Sequence, residues 1–273
     1  MQTVTIEGNM VHAVSPEGQK ASIKLQDLFQ RSSPRRMDSC GVILPDGIRL
    51  MYSDPDGRLT VWVHETPPCI VRLKWIATDS PVPYGQGSKY RMVRIALPYV
   101  IVLAAFEQGR VSDFNECFFR NESLDGEDDE LFYPALLNCS KFHRQEGRPL
   151  SWICTQKLER GTFMNEKDMN KRMRNGFKSL SHCLLETGFN LSSEHHEYSS
   201  WFTESSKVDP RISEIENWEK ATDDDPTFVL ELPWIKTGMS VKQVVERIFK
   251  NHQTGSSRVN SMHDLFRLIF NNV

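Results

Sequence analysis

The sequence predicts an α+β fold, in which an antiparallel β-meander carries helices packed on it. The first half of the chain contains short β-prone runs separated by Asp-Gly pairs, and the second half contains amphipathic segments with helix-capping residues. The two kinds of segment do not alternate as they would in a parallel α/β sheet. A chain of 273 residues is long enough to bury a sizeable core.

The strand signals are strongest around two Asp-Gly pairs and one apolar run. Asp46-Gly47 and Asp56-Gly57 stand between β-prone runs, which predicts a hairpin turn at each pair. The run YVIVLAAF, residues 99–106, is apolar almost throughout. Such a run predicts a central strand that is covered on both faces.

The second half of the chain predicts helices. Apolar residues recur every three or four positions between Asn165 and Leu185, which predicts an amphipathic helix that Asn165 caps. A second helix is predicted to begin at Pro210, and a third at Ser240, where Gln243 completes a capping box. After a polar linker, a fourth short helix is predicted near the end of the sequence.

These elements divide the chain into three predicted parts. Residues 1–70 form an N-terminal β-hairpin extension that packs on the core. Residues 71–250 form the core itself, which carries the functional site. Residues 251–273 form a linker and a C-terminal helix.

The composition excludes several classes of partner. Charged residues make up 25% of the chain and hydrophobic residues 39%, as in a soluble globular protein. The net charge is −3 and no stretch is strongly basic, which disfavours a nucleic-acid partner. The first residues lack a basic segment followed by an apolar run, so we expect no secretory signal. The apolar stretch from Leu97 to Phe106 is too short to span a bilayer, so we expect a cytoplasmic protein without a membrane partner.

The cysteines argue against a metal site. They lie at positions 40, 69, 117, 139, 154 and 183, and no Cys-x-x-Cys pair occurs among them. Structural zinc sites and redox-active dithiols usually need such a pair, and disulfides are rare in a reducing compartment. The sequence also lacks the phosphate-binding loop, the metalloprotease helix motif and the serine-hydrolase elbow. We expect no metal ion and no organic cofactor.

The histidines do not form an obvious ligand set either. His195 and His196 are adjacent, and adjacent side chains of an extended chain point to opposite sides. Both rings would therefore face one metal ion only in a special turn. The simplest interpretation is a polar loop, in which Glu194 and Glu197 can tune a histidine towards neutral pH.

A candidate nucleophile lies in residues 133–158, YPALLNCSKFHRQEGRPLSWICTQKL. An accessible cysteine can attack a carbonyl or a thioester, and a side-chain amide can donate a hydrogen bond to the resulting oxyanion. Asn138 follows a proline that turns the chain, and a loop with Gly147 then returns to Cys154. Cys139 and Cys154 are both open as candidates at this point, and a buried packing thiol is the default for each.

The order of elements and this stretch resemble the ubiquitin-conjugating enzymes over roughly residues 40–250. Those enzymes have an antiparallel meander, a His-Pro-Asn turn, a loop with a glycine, an Ile-Cys-Leu segment that contains the active-site cysteine, and then helices. The matching positions here are Tyr133-Pro134, Asn138, Gly147 and Ile153-Cys154. The divergent bacterial members of the superfamily are more similar still, because an arginine-rich strand runs into a proline in them, as in YRMVRIALPYVIVL here.

The stretch also departs from the family pattern. Tyr133 replaces the histidine, and three residues separate Pro134 from Asn138. Sixteen positions lead from Asn138 to Cys154, about twice the usual length, which leaves Cys139 as a rival nucleophile. We select Cys154 because the residues on either side of it match the approach to the family's active-site cysteine.

The resemblance implies an acyl carrier. Cys154 would accept the C-terminal carboxyl group of a ubiquitin-like protein as a thioester from an activating-enzyme-like protein. A lysine of a protein target would then attack the thioester, with Asn138 or a backbone amide stabilising the oxyanion. The expected setting is a bacterial ubiquitin-like conjugation pathway.

Two other functions stay open at the level of the sequence. The altered histidine and the long loop favour a non-catalytic ubiquitin-conjugating-like module that binds proteins. A cysteine hydrolase that pairs Cys154 with His195 or His196 is the third candidate.

Overall fold

The protein is an α+β protein with antiparallel sheets, which confirms the predicted fold class at this level. The computed structural model describes residues 3–14, 18–24, 44–54, 57–82, 87–142, 148–155, 157–186 and 200–253. The strands are β1 Thr3–Glu7, β2 Met10–Val14, β3 Lys20–Lys24, β4 Ile48–Ser53, β5 Leu59–Thr66, β6 Cys69–Ile76, β7 Tyr90–Leu97, β8 Tyr99–Glu107, β9 Arg110–Val111, β10 Glu116–Arg120, β11 Glu130–Phe132, β12 Cys139–Phe142, β13 Leu150–Ile153 and β14 Lys236–Ser240. The α-helices are α1 Met169–Leu185, α2 Trp201–Ser205, α3 Ile215–Asp224 and α4 Val241–Gln253.

The described residues fall into two compact units. One unit carries the three-stranded sheet β1-β2-β3. The other carries β4 to β14 and the helices as far as Ile248. β4 and β5 therefore belong to the large unit, whereas our predicted boundary at residue 70 placed them in the N-terminal extension.

The large unit is built on one antiparallel sheet. Six of its strands run in the order β12-β13-β10-β8-β5-β4, while β11 joins β10 to β14 and β9 pairs with β8. β8 lies between β5 and β10, and its residues from Val100 to Phe106 are all buried. This confirms the prediction of a central strand with both faces covered. A strand whose side chains are all apolar has no polar face to turn to water, so both of its faces are buried.

Helix α1 covers one face of this sheet. Trp62 lies opposite Ala104 across β5 and β8, and Phe177 of α1 packs edge-on against the Trp62 ring at 6.1 Å. Gly176 allows the close approach, since a Cβ atom at that position would lie 2.7 Å from a methyl group of Val111.

Helix α4 contacts the opposite face. Glu116 of β10 lies opposite Leu103 of β8, so its side chain projects from the face that α1 does not cover. There the Glu116 carboxylate accepts hydrogen bonds from Arg247 of α4 at 2.6 and 2.7 Å. A buried carboxylate needs such a partner, and the pair holds α4 against the sheet.

The helix boundaries differ from the predictions at two points. α1 begins at Met169 and Asp168 caps it, whereas we predicted Asn165 as the cap. The Asp168 carboxylate accepts a hydrogen bond from the Lys171 N–H at 2.9 Å, which is the usual bond of a capping residue. The helix does not start at Asn165 because the chain around that residue still forms turns. Residues 210–212 form a 3₁₀ turn, so the predicted helix at Pro210 starts as an α-helix only at Ile215.

Other predicted elements are confirmed where the structure describes them. Ser240 and Gln243 form the predicted capping box, in which the Gln243 side chain accepts a hydrogen bond from the Ser240 N–H at 2.9 Å. Gly57 has a φ of +63° in the turn between β4 and β5, as the Asp-Gly signal predicts. The predicted C-terminal helix lies outside the described residues. Within the described ranges, no helix combines the length and the apolar character needed to cross a membrane.

His64 provides a test of how α1 packs on the sheet. Its ring lies 4.9 Å from the ring of Phe177, and burial lowers the pKa of His64 despite a hydrogen bond to the Asp46 backbone and the nearby charge of Glu65. Because the folded pKa is lower than the unfolded value of about 6.5, the unfolded chain binds more protons in mild acid. The stability that neutral His64 contributes is fully present above the unfolded pKa of about 6.5 and is lost as the pH falls from there through the folded pKa.

We predict that the unfolding free energy falls less between pH 7.5 and 5.5 in the His64→Gln variant than in the wild type. Glutamine does not titrate, and its amide can still donate to the Asp46 carbonyl. Urea unfolding across this pH range measures the difference. Equal pH slopes for the two proteins would show that the ring of His64 is not buried against α1.

Candidate functional site

The candidate stretch, residues 133–158, contributes β12 and β13 to one edge of the main sheet. Its first residue, Tyr133, is buried; the Tyr133 N–H donates to the Ile235 carbonyl at 2.8 Å, and its hydroxyl donates to the Pro149 carbonyl at 2.8 Å. The Tyr133 ring stacks on Trp201 with a centroid distance of 3.6 Å, and burial raises its pKa to about 12. Tyr133, which the resemblance matches to the histidine of ubiquitin-conjugating enzymes, is therefore a packing residue.

Asn138 and Cys154 are neighbours across β12 and β13. The Cys154 N–H donates a hydrogen bond to the Asn138 carbonyl at 2.9 Å, next to the paired residues Cys139 and Ile153. The structure therefore brings the two predicted catalytic residues together, although sixteen positions separate them in the chain. Antiparallel pairing of β12 with β13 is the reason, because the hairpin shortens the path between them.

The side chain of Asn138 points to the end of helix α1. It is buried, and its amide nitrogen lies 3.5 Å from the Cys183 carbonyl and 3.4 Å from the Leu184 carbonyl. Both carbonyls belong to the last turn of α1, where backbone oxygens lack the next helical N–H. Asn138 thus caps the C-terminal end of α1, and its role as an oxyanion donor for Cys154 stays a prediction.

Cys154 directly follows β13 and is a partly buried residue. Its backbone is held from two sides, because its N–H binds Asn138 and its carbonyl accepts a hydrogen bond from the Cys183 thiol at 3.0 Å. These contacts fix the main chain, and the residue as a whole is partly exposed to solvent. Accessibility is the first requirement for a nucleophilic thiol.

Cys139, the rival nucleophile, is fully buried on β12. Burial raises the pKa of its thiol well above the usual range, and a hydrogen bond with the Cys117 thiol raises it further. A thiol with a raised pKa and no access to solvent is a poor nucleophile at neutral pH. The geometry therefore favours Cys154 over Cys139.

Cys117, Cys139, Cys154 and Cys183 form one group, which we call the thiol cluster. Cys117 and Cys139 interact with each other, and Cys154 lies close enough to both Cys139 and Cys183 to affect their pKa values. Burial is the main cause that raises the pKa of Cys183, to about 11. Over the described ranges, no group of three or more His, Cys, Asp or Glu residues has a geometry that would hold a metal ion.

Several sequence predictions lie outside the described residues. His195, His196 and the loop glycine Gly147 are among them, as is Cys40. The hydrolase alternative depends on the two histidines. It stays a prediction.

Sequence reasoning missed the groups that hold the site in place. Glu116 accepts a hydrogen bond from the Ser151 N–H at 2.9 Å as well as those from Arg247. It therefore ties β13, the strand that leads to Cys154, to helix α4. Glu116 and Arg247 lie far apart in the chain, and no local pattern marks either residue as a partner of the other.

A separate cleft lies beside α3. Its volume is about 530 Å³, and its lining includes Arg211, Lys220, Asp224 and Phe228. Both Nε and Nη2 of Arg211 bind the Asp209 carboxylate, and the guanidinium lies 5.1 Å from the Phe228 ring centroid. The cleft contains none of the predicted catalytic residues.

Comparison with known proteins leaves the family open. No protein-family model, curated protein or solved structure matches the chain. Any assignment of function therefore rests on the residues and their geometry.

We predict that Asn138→Ala lowers the unfolding free energy by about 1–2 kcal/mol, because two carbonyls at the end of α1 lose a buried donor. Urea unfolding at pH 7 measures the change. Asn217→Ala is the matched control, since Asn217 donates a similarly long 3.5 Å bond to Pro210 on the exposed surface. Equal effects of the two substitutions would contradict the capping role.

We also predict an order of thiol reactivity. Iodoacetamide should modify Cys154 in the native protein. Cys117, Cys139 and Cys183 should react at least roughly two orders of magnitude more slowly, because a buried thiol reacts only when the structure opens. Mass spectrometry of digested samples measures the rates, and labelling in urea gives the reference rate of each cysteine. Faster labelling of Cys139 than of Cys154 would reverse the choice of nucleophile.

Proposed function

We propose that the protein is a ubiquitin-conjugating-like acyl carrier that uses Cys154 as its nucleophile. The observation that carries the proposal is the contrast within the thiol cluster. Cys154 is partly exposed on a main chain held at both its N–H and its carbonyl, while Cys117, Cys139 and Cys183 are buried. A carrier needs one accessible and positioned thiol.

The order of the strands supports the same proposal. β4, β5, β8 and β10 are sequential neighbours in the sheet, with the β6–β7 hairpin inserted between β5 and β8. The turn at Tyr133, the Asn138 strand and the Cys154 strand follow, and the helices come after them. This agrees with the element order of the resemblance, in which a meander precedes the active-site cysteine.

The proposed chemistry is two successive acyl transfers. The Cys154 thiolate attacks the thioester carbonyl of a ubiquitin-like protein on its activating enzyme; a new C–S bond forms and the thiolate of the activating enzyme leaves. A lysine amine of the target then attacks the Cys154 thioester, the amide bond forms, the Cys154 thiolate leaves and the amine releases a proton to solvent or a base. Since the Asn138 amide caps α1, backbone N–H groups are the proposed oxyanion donors.

A second candidate is a non-catalytic protein-interaction module of the same class. The position of Asn138 favours it, because the amide that would assist catalysis binds the end of α1. The hydrogen bond from the Cys183 thiol to the Cys154 carbonyl also has a purely structural explanation.

An adduct assay separates these functions. The protein is incubated with ATP, a bacterial ubiquitin-like protein and the activating-enzyme-like protein that charges it, then separated on a non-reducing gel. We predict a thiol-sensitive adduct that is lost in Cys154→Ala, because the thioester needs that sulfur. Cys69→Ala is the control, since Cys69 is the other partly exposed thiol among the described residues, and it should keep the adduct.

Each other outcome leads to a different function. An adduct that persists in Cys154→Ala and disappears in Cys139→Ala would move the nucleophile to Cys139. A folded protein that binds the ubiquitin-like protein but forms no adduct would support the interaction module. Cleavage of a simple peptide thioester without ATP would support the hydrolase.

A further inference from the structure

The two-stranded sheet of β6 and β7 turns one face outward. The strands pair antiparallel, so Arg72 lies opposite Arg94 and Lys74 lies opposite Met92. Side chains alternate along a strand, so these residues share one face with their second neighbours along each strand. We call this the hairpin face; its members are Ile70, Arg72, Lys74 and Ile76 of β6 and Tyr90, Met92, Arg94 and Ala96 of β7, of which only Ala96 is buried.

The other side of the hairpin is buried, which fixes the direction of the outward face. Leu73, Trp75, Val93 and Ile95 point into the protein, and each of them is almost fully buried. A shift of one residue in the pairing would expose these side chains, so the hydrophobic pattern fixes the register. The hairpin face is therefore a defined surface of the folded protein.

The hairpin face exposes apolar side chains. Ile70 is 41% exposed, Tyr90 39% and Met92 56%. They are half of the six large hydrophobic residues that are exposed over the described ranges. Tyr90 and Met92 lie together at one end of the hairpin face, and Ile70 lies at the other end, beyond Arg72 and Lys74. Exposed apolar groups in one patch are typical of an interaction site.

The same face is basic. Arg72, Lys74 and Arg94 are all exposed, and none of the eight members is acidic. Asp223 pairs with Arg94, but no ion pair of Arg72 or Lys74 occurs within the part of the chain that the structure describes. Arg72 also stands directly opposite Arg94, and like charges in that arrangement destabilise a sheet. This local positive charge opposes the net charge of −3 of the chain.

Helix α3 restricts how a partner can approach. The Glu219 carboxylate accepts from the Arg94 N–H at 3.0 Å, and the Thr222 hydroxyl accepts from the Ala96 N–H at 2.9 Å. The Trp218 indole donates to the Ala96 carbonyl at 3.0 Å. α3 therefore occupies the backbone edge of β7, and a partner contacts the side chains of the hairpin face rather than adding a strand to β7.

We propose that the hairpin face binds an acidic segment of a partner protein. Carboxylates of the segment pair with Arg72, Lys74 and Arg94, and an apolar side chain beside them covers Met92 and Tyr90. The face has a single aromatic ring among aliphatic side chains, so it lacks the row of rings on which proteins stack the bases of single-stranded nucleic acid. The proposal does not involve Cys154 and is independent of the acyl-carrier function.

The test uses a fluorescent eight-residue peptide with three central glutamates and a leucine on either side, against the full chain. A peptide of this length matches the eight residues of β6. We predict saturable binding that weakens with salt, and about tenfold weaker binding in the Arg72→Glu/Lys74→Glu variant, where two attractions become repulsions. Met92→Ser should weaken binding several-fold without changing its salt dependence.

The control variant is Lys171→Glu/Lys178→Glu, which makes the same change in net charge on exposed lysines of α1. It should bind like the wild type, and circular dichroism should show that both double variants are folded. No binding at millimolar protein, equal binding of a glutamine version of the peptide, or equal weakening in the two double variants would overturn the proposal. Tighter binding of a single-stranded oligonucleotide, or self-association of the chain that the Arg72→Glu/Lys74→Glu variant abolishes, would also overturn it.

Discussion

The structure of the large unit depends on the burial of β8 on both faces. From Val100 to Phe106 this strand has no polar side chain, so each of its faces must be covered by another layer. α1 packs on one face through Phe177, and α4 packs on the other through the ion pair of Arg247 with the sheet. The flanking strands β5 and β10 satisfy the backbone of β8, and they carry the groups that these helices contact.

Polar contacts between distant segments then fix the layers in their positions. The Glu116 carboxylate receives hydrogen bonds from a strand and from a helix at once. In the same way, Arg91 of β7 binds both Glu216 and Glu219 of α3. Such pairs contribute little to stability where water reaches them, but they select one arrangement among several with similar apolar burial.

Several elements of the fold were predictable from local signals, whereas the direction of the Asn138 side chain was not. The apolar run at β8, the Asp-Gly turn before β5 and the capping box at Ser240 each specify their element within a few residues. By contrast, the direction of the Asn138 side chain depends on the end of α1, which lies more than forty residues further along the chain. The residue pattern around Asn138 does not indicate which distant segment of the sequence will pack against it.

This dependence bears on the catalytic role that the resemblance implies for Asn138. If its amide turned towards Cys154, two carbonyls at the buried end of α1 would lose a donor, at a cost of about 1–3 kcal/mol. The oxyanion of a reacting thioester would have to compensate for that loss before the amide gave any net stabilisation of the transition state. Backbone N–H groups near Cys154 would not carry this cost. The position of Asn138 beside Cys154 therefore supports the fold of the site, and chemistry at the thiol is better served by donors that the fold does not already use.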